Sequence, residues 1–217
     1  MSIIDPSLFE PPRDSDMPQQ VFENEYRYIR KSYPHEILIY TDGACQNNGQ
    51  NNPQANCAFV FRPSAYSPND KRSYRLAYQH KSNRAKLRAV IAALQFRDWD
   101  TDCNVGWRSV VIATDSEYVA INATDRIRRW ETSGWETYDW RLSCRVAIKN
   151  QDLWKLLLVE IRRLQSKGVH VSFWMIPREW NEMANKYAKV AVGLQASESF
   201  FRHRALGHRV RPRAVEA

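Results

Sequence analysis

Apolar residues follow two different spacings along the chain, and the change from one to the other marks strands and helices. Segments 36–42, 55–62 and 72–79 are rich in β-branched and aromatic residues and are separated by clusters of Gly, Pro, Asn and Asp. This pattern predicts three consecutive strands in an antiparallel meander. Shorter apolar runs at 109–115 and 170–177 predict two further strands.

Helical spacing occurs in four segments. In 83–98 the apolar residues recur at i, i+3, i+4 and i+7 after a candidate N-cap at Ser82, which predicts an amphipathic helix. Three more helices are predicted, one from Ser116, one over 150–168 and one over 181–195. The resulting order, β-β-β-α-β-α-α-β-α, predicts an α/β fold with a mixed five-stranded sheet and helices on both faces.

Length and composition set the expected domain organisation. A chain of 217 residues suits one domain with a full hydrophobic core. We expect that domain to span residues 35–197, after an acidic, proline-containing extension over 1–34 and before a basic, flexible tail over 198–217. No apolar run approaches the roughly 18 residues that a membrane-spanning helix needs, so we expect no membrane partner.

The cysteines and the start of the chain indicate an intracellular protein. The four cysteines lie far apart without a C-x-x-C pair, which is typical of reduced thiols rather than of a disulfide framework or a zinc site. The first residues carry acids and prolines where a secretory signal has basic and apolar parts. A nuclear or cytoplasmic location is therefore expected. The formal charge of +8 favours a polyanionic partner.

Two aspartates follow predicted strands in the same way. Asp42 ends the first strand in T-D-G-A-C, and Asp115 ends the fourth in T-D-S-E-Y. If these strands are neighbours, both carboxylates lie at one edge of the sheet, where they can hold a hard divalent cation. The alternative is that each aspartate only caps a turn or the following helix.

Several motifs occur in a fixed order within these predicted elements. They are Y-T-D-G-A-C-Q-N-N-G-Q (40–50), S-N-R-A-K-L-R-A-V-I-A-A-L (82–94), A-T-D-S-E-Y-V (113–119), Trp130 with Gly134 and Trp135, K-N-Q-D-L-W (149–154) and P-R-E-W-N-E-M-A-N-K-Y-A (177–188). Together they resemble the type 1 ribonuclease H domains, most closely the fungal version. The resemblance implies the ribonuclease H fold. It also implies hydrolysis of the RNA strand of an RNA/DNA hybrid by two Mg²⁺ ions, held by four acidic residues.

The four acidic positions of this family are only half retained. The resemblance places the first and third acids on Asp42 and Asp115, the second on Lys86 and the fourth on Asn185. Two acids, one base and one neutral amide sum to a charge of −1, in place of the family's −4. We therefore interpret Lys86 as a built-in counter-ion that lies where a cation would bind.

This substitution predicts that metal-dependent hydrolysis is lost or strongly impaired. We expect no cofactor, or weak Mg²⁺ or Mn²⁺ binding at Asp42 and Asp115 if activity remains. The changes at Lys86 and Asn185 are either natural or introduced. The charge reversal favours a natural origin, whereas Asp to Asn is also a common laboratory change.

The resemblance also implies a set of nucleic-acid contacts. They fall on Asn48, Ser82, Asn83, Arg84, Tyr118 and Asn150. Short polar side chains of this kind suit 2′-hydroxyls and the shape of a hybrid. Local roles are the alternative, with Asn48 in a turn and Ser82 at a helix cap. The family's indole after the third acid is replaced by a basic run, Arg126 to Arg129, which suits either phosphate contacts or a solvated helix face.

The predicted function is binding of RNA/DNA hybrid or duplex nucleic acid with catalysis lost or impaired. Two alternatives stay open: a weakly active hybrid ribonuclease, and a fold repurposed for a protein or small-molecule partner.

Overall fold

The computed structural model describes residues 5–23, 26–46, 54–63, 71–76, 82–102, 106–139, 144–190 and 196–197. Its strands are β1 (Ser7–Leu8), β2 (Phe22–Glu23), β3 (Ile29–Arg30), β4 (Glu36–Gln46), β5 (Gln54–Val60), β6 (Lys71–Leu76), β7 (Ser109–Thr114), β8 (Glu136–Asp139), β9 (Cys144–Ala147), β10 (His170–Met175) and β11 (Ala196–Ser197). Its helices are α1 (Pro18–Val21), α2 (Ser82–Gln95), α3 (Glu117–Ile121), α4 (Ile127–Thr132), α5 (Gln151–Ser166) and α6 (Glu182–Val190).

The central sheet has the order β10-β7-β4-β5-β6. Strands β10, β7 and β4 are parallel, whereas β4, β5 and β6 form the predicted antiparallel meander. The prediction of a mixed five-stranded sheet in an α/β fold is therefore confirmed for this centre. Short strands extend it: β1 pairs with β10, β11 with β6, and β3 with both β2 and β4.

Helices α2 and α5 pack against one face of the sheet and against each other. Their predicted apolar stripes are buried, including Leu87, Ile91, Leu157 and Ile161 at 0% exposure. Burying one such side chain stabilises the folded state by roughly 1.5–3 kcal/mol. The two stripes therefore contribute much of the stability of the core. Together with β4 and β7, helices α2 and α5 form one packed core. This core fixes the ends of the two strands, where Asp42 and Asp115 lie.

The opposite face is covered partly by the start of the chain. Phe9, Val21 and Phe22 pack with Leu38 and Trp174 in a second buried cluster. These three residues of the N-terminal extension are therefore part of the core, which the expected domain start at residue 35 leaves out. Scattered apolar positions in a proline-containing segment have no period, so only the tertiary contacts reveal their burial. Helix α6 packs against β4 and β5.

Several predicted boundaries differ from the structure. The helix predicted from Ser116 is divided into α3, a π-helical turn over Asn122–Arg126 and α4. Ser82 is the first residue of α2 rather than a flanking cap. The hairpin of β8 and β9 was not predicted. Predicted segments 77–79 and 191–195, and the tail over 198–217, lie outside the described residues.

Among the described helices, none has both the length and the apolar character that a membrane span requires.

Candidate functional site

The parallel pairing of β4 and β7 brings Asp42 and Asp115 to the same edge of the sheet. Tyr40 is in register with Ala113, so the two aspartates, each two residues further on, follow at matching positions. Their side chains are almost fully buried, with 4% and 5% exposure. The predicted juxtaposition of these two residues is therefore present.

Gly43 allows helix α2 to lie directly on β4. A Cβ atom at this position would be 2.2 Å from the Lys86 backbone nitrogen and 2.2 Å from the Ala85 carbonyl carbon. Only a residue without a side chain permits this approach. The helix thereby delivers the Lys86 side chain to the two aspartates.

The Lys86 ammonium lies between the two carboxylates. Its Nζ donates a hydrogen bond to Asp115 Oδ1 at 2.8 Å and forms an ion pair with Asp42 Oδ1 at 3.3 Å. The Lys86 side chain is 16% exposed, so all three charged groups are held in a partly dry environment. Such pairs persist only because each charge is offset by its neighbour.

Burial dominates the electrostatics of Asp42. It raises the pKa of the Asp42 carboxyl, and the nearby Asp115 raises it further, whereas Lys86 and the Gly43 amide lower it. The net direction is upward. Lys86 thus offsets only part of the effect of burial on the Asp42 carboxyl.

The donor set does not suit the two Mg²⁺ ions that the family resemblance implies. Within the described ranges, no three His, Cys, Asp or Glu side chains cluster as metal ligands. The Lys86 ammonium carries no lone pair, so it cannot ligate a metal, and its charge repels a cation. It also lies within hydrogen-bonding distance of Asp115, where a metal would need the carboxylate. No catalytic step through a metal follows from this arrangement.

Asn185, on which the resemblance places the fourth acid, lies on α6. Among the described residues, no side-chain hydrogen bond links it to Lys86 or to either aspartate. It is half-buried and lines a shallow groove of about 680 Å³ along α6, together with Arg178, Glu182 and Lys186.

The start of α6 is anchored to β4 by Asn181, a residue that the sequence analysis did not single out. Its side chain is fully buried, and its Nδ2 donates a hydrogen bond to the Thr41 carbonyl oxygen at 3.0 Å. The backbone N–H of Asn185 in turn donates a hydrogen bond to the backbone carbonyl oxygen of Asn181 at 3.1 Å. Asn181 therefore fixes α6 next to Asp42. Its position as the first residue of the helix predicted over 181–195 was the available signal.

Three of the predicted nucleic-acid contacts meet in a second cluster. Arg84 lies on the first turn of α2, and its Nη1 is 3.4 Å from Asn150 Oδ1. Asn150 Nδ2 in turn donates a hydrogen bond to the Tyr118 hydroxyl at 2.9 Å. The Tyr118 hydroxyl also accepts from Trp154 Nε1 at 3.2 Å. This network joins α2, α3 and the start of α5. Asn150 has φ of 61°, a left-handed conformation that asparagine tolerates better than most residues.

Arg84 also forms a bidentate ion pair that the sequence did not indicate. Its Nη1 and Nη2 lie 2.8 and 2.6 Å from Asp152 Oδ1 and Oδ2. These bonds lower the pKa of Asp152 and raise that of Arg84. Ser82 and Asn83 share the first turn of α2, half-buried and exposed respectively. Asn48 lies outside the described residues.

The basic run after α3 is partly engaged in ion pairs. Arg128 contacts Asp5 at 2.8 Å, and Arg129 pairs with Asp125 one helical turn earlier. Both pairs are exposed. They are consistent with the solvated helix face that was one of the two interpretations of this run.

Comparison with known proteins places this fold and site in a family. The RNase H family matches residues 34–192. Ribonuclease H of Pectobacterium carotovorum subsp. carotovorum is 32% identical over 167 residues, which cover 73% of this chain and 90% of the relative. Ribonuclease H of Vibrio cholerae serotype O1 is 31% identical over 156 residues, covering 72% and 88% of the two chains.

Solved structures with the same fold include two complexes of a foamy viral protease-reverse transcriptase. The complex with RNA/DNA hybrid has a TM-score of 0.53 at 17% identity and covers 86% of this chain and 22% of that one. The complex with dsDNA has a TM-score of 0.52 at 20% identity, covering 72% and 94%. From the family match over most of its length, and from the identity with curated ribonucleases H, the chain belongs to the RNase H family.

Proposed function

We propose that this chain binds RNA/DNA hybrid or duplex nucleic acid and that its metal-dependent hydrolysis of RNA is lost or strongly impaired. The observation that carries the proposal is the position of Lys86, whose ammonium lies 2.8 and 3.3 Å from the two retained carboxylates. A cation supplied by the protein itself takes the place next to Asp42 and Asp115 where the family's metal-binding carboxylate would be.

Electrostatics explain why this arrangement opposes two-metal catalysis. Two divalent ions need several carboxylates, both to ligate them and to offset their charge. Here the four family positions carry a net charge of −1, and a bound metal would have to displace or deprotonate Lys86. Loss of ligands and repulsion by the ammonium act in the same direction, so a large decrease in metal affinity is expected.

Nucleic-acid binding is supported by the second cluster and by the charge of the chain. Arg84, Asn150 and Tyr118 lie together at the starts of α2, α3 and α5, and the chain has a formal charge of +8. Basic and amide side chains grouped in this way suit the phosphates and sugars of a duplex. The foamy viral relative in fold was solved in complex with RNA/DNA hybrid, which makes a hybrid the first substrate to test. The likeness to fungal members and the nuclear or cytoplasmic location remain predictions.

The test uses a labelled RNA/DNA hybrid with Mg²⁺ or Mn²⁺ and measures binding and RNA cleavage on the same samples. The unchanged chain is compared with Lys86→Glu/Asn185→Asp and with that double variant carrying Asp115→Asn. Lys167→Glu, the same charge reversal at an exposed lysine, is the matched control. Circular dichroism shows that each variant is folded.

We expect the unchanged chain and the control to bind without cutting, the double variant to cut, and Asp115→Asn to abolish that cleavage. Cleavage by the unchanged chain at the rate of the double variant would refute the loss of catalysis. Absence of binding by every protein would refute the nucleic-acid proposal and would favour a protein or small-molecule partner. A double variant that binds but does not cut would place the loss of cleavage elsewhere than at these two positions.

A weakly active hybrid ribonuclease is the second candidate. It is favoured by the retention of both Asp42 and Asp115 at matching positions of neighbouring strands. In that case Asp115→Asn in the otherwise unchanged chain removes a slow, Mn²⁺-dependent cleavage. If the first proposal is correct, the same substitution leaves cleavage at the background of the assay.

A further inference from the structure

The Arg84 guanidinium forms a bidentate ion pair within the chain. Two of its nitrogens meet the two oxygens of Asp152 at 2.8 and 2.6 Å. This side-by-side geometry is the one that an arginine also uses to hold a phosphate. The carboxylate of Asp152 therefore occupies both of the nitrogens with which Arg84 would hold a phosphate in this way.

The exposure of the two side chains would let the Asp152 carboxylate compete with a phosphate for Arg84. The Arg84 side chain is 24% exposed, whereas that of Asp152 is 60% exposed, so the carboxylate is the more accessible of the two charged groups. Arg84 is further fixed by its contact with Asn150 at 3.4 Å. A phosphate approaching from solvent meets the negative charge of Asp152 before it reaches the positive charge of Arg84.

We propose that Asp152 is an intramolecular competitor for Arg84 that lowers the affinity of this surface for nucleic-acid phosphate. The inference rests on the proposed nucleic-acid binding and names a residue that sets its strength. Binding of a backbone phosphate at Arg84 requires the carboxylate to rotate away or to remain beside the phosphate as a like charge. Either requirement weakens binding.

The low pKa of Asp152 makes this competition permanent at physiological pH. The hydrogen bonds from Arg84 hold that pKa below its ordinary value. The carboxylate is therefore ionised throughout the neutral range, and protonation does not release Arg84. Arg84 is released only when Asp152 is substituted or when the nucleic-acid phosphate displaces its carboxylate.

The experiment measures hybrid affinity as a function of salt for Asp152→Asn, which keeps the shape of the side chain and removes its charge. We expect about threefold tighter binding at low salt, the size of effect that an exposed ion pair supports. We also expect a steeper dependence of log K on log salt by up to roughly 0.9, the contribution of one additional phosphate contact.

Two further variants separate local competition from a general charge effect. Asp98→Asn makes the same change at an aspartate that is 51% exposed and pairs with Lys167 at 3.3 Å. Lys167 lies at the other end of α5, about 22 Å along the helix axis from residue 152. Arg84→Ala/Asp152→Asn tests whether the gain requires Arg84. Asp152→Ser provides the same charge change if Asp152→Asn fails to fold.

The inference is supported if Asp152→Asn tightens binding, Asp98→Asn does not, and the gain disappears in the Arg84→Ala background. Equal or weaker binding by Asp152→Asn, or an equal gain from Asp98→Asn, overturns the inference but leaves the proposed function intact. If the unchanged chain shows no hybrid binding, the proposed function fails and the inference fails with it.

Discussion

Replacing Lys86 with methionine isolates the contribution of its ammonium to folding. Methionine keeps the length and most of the apolar stem of lysine but carries no charge. The variant leaves Asp42 and Asp115 buried next to each other with no cation between them. If Lys86 is the counter-ion of this pair, the variant loses stability at neutral pH.

The size of the loss follows from the two distances. At an effective dielectric constant of 20, the contacts at 2.8 and 3.3 Å correspond to gross attractions of about 6 and about 5 kcal/mol. Removing the lysine also removes the cost of desolvating its own ammonium, which amounts to several kcal/mol. The expected net loss is about 3 kcal/mol, at the lower end of values for breaking a buried ion pair.

Urea and thermal unfolding, followed by tryptophan fluorescence at pH 7, measure this loss. A change of about 3 kcal/mol lowers the Tm of a domain of this size by roughly 6–12 °C. Lys167→Met is the matched control, because its ammonium pairs with Asp98 and Asp100 but is 37% exposed. Solvent screening makes such a pair worth about 1 kcal/mol or less.

The pH dependence provides a second readout. An acid whose pKa is raised in the folded state favours folding below its unfolded pKa, and this contribution is lost as pH rises through the folded pKa. The pKa of Asp42 is already raised by burial, against the lowering effect of Lys86. Without Lys86 that pKa rises further, so the stability deficit of Lys86→Met is expected to be smaller at pH 5 than at pH 7.

Two results would refute this reasoning. A loss at pH 7 no larger than that of Lys167→Met would show that Lys86 does not compensate the two carboxylates. A deficit that grows on acidification would have the wrong sign for a buried aspartate that has lost its counter-ion.

Three further substitutions test the rest of the framework by urea unfolding. Gly43→Ala places a methyl group 2.2 Å from the Ala85 carbonyl carbon. We therefore expect α2 to be displaced and the free energy of unfolding to fall by about 3 kcal/mol. A fall below about 1 kcal/mol would contradict the close approach of α2 to β4. Asp102→Asn removes the carboxylate that pairs with Arg27, a side chain at 5% exposure, and should cost about 3 kcal/mol. Because burial raises the pKa of Asp102 but its arginine partners lower it more, the stabilisation is present at neutral pH and is lost as pH falls below about 4; a cost independent of pH down to 2 would contradict this. Phe22→Ala should cost about 3–5 kcal/mol if the N-terminal segment is part of the core, and an unchanged Tm would show that it is not.

Much of the candidate site could be predicted from local sequence. Asp42 and Asp115 each follow an apolar strand, and parallel neighbours necessarily present such residues at one edge of the sheet. Helical spacing predicts α2 and its apolar stripe, whereas the place of Lys86 in the site follows only from the family resemblance. The strand ends and the helix depend on periodicities of two and 3.6 residues, which a single sequence displays.

Other parts depended on contacts between distant segments. The pairing of Arg84 with Asp152 joins positions 68 residues apart, and the anchor from Asn181 to Thr41 joins positions 140 residues apart. Neither pair has a spacing that marks it in the sequence. The burial of Phe9 and Phe22 against Trp174 is of the same kind.

The sequence by itself determined the order of the five central strands and of the main helices, and the faces that they bury; the replacement of two family acids is what the resemblance implies. The tertiary structure decided that the Lys86 ammonium lies between Asp42 and Asp115 and that Asp152 covers Arg84. The physical reason is that backbone periodicity is a local property. The partner of a charge, in contrast, is chosen by whichever segments the packed core brings within a few ångströms.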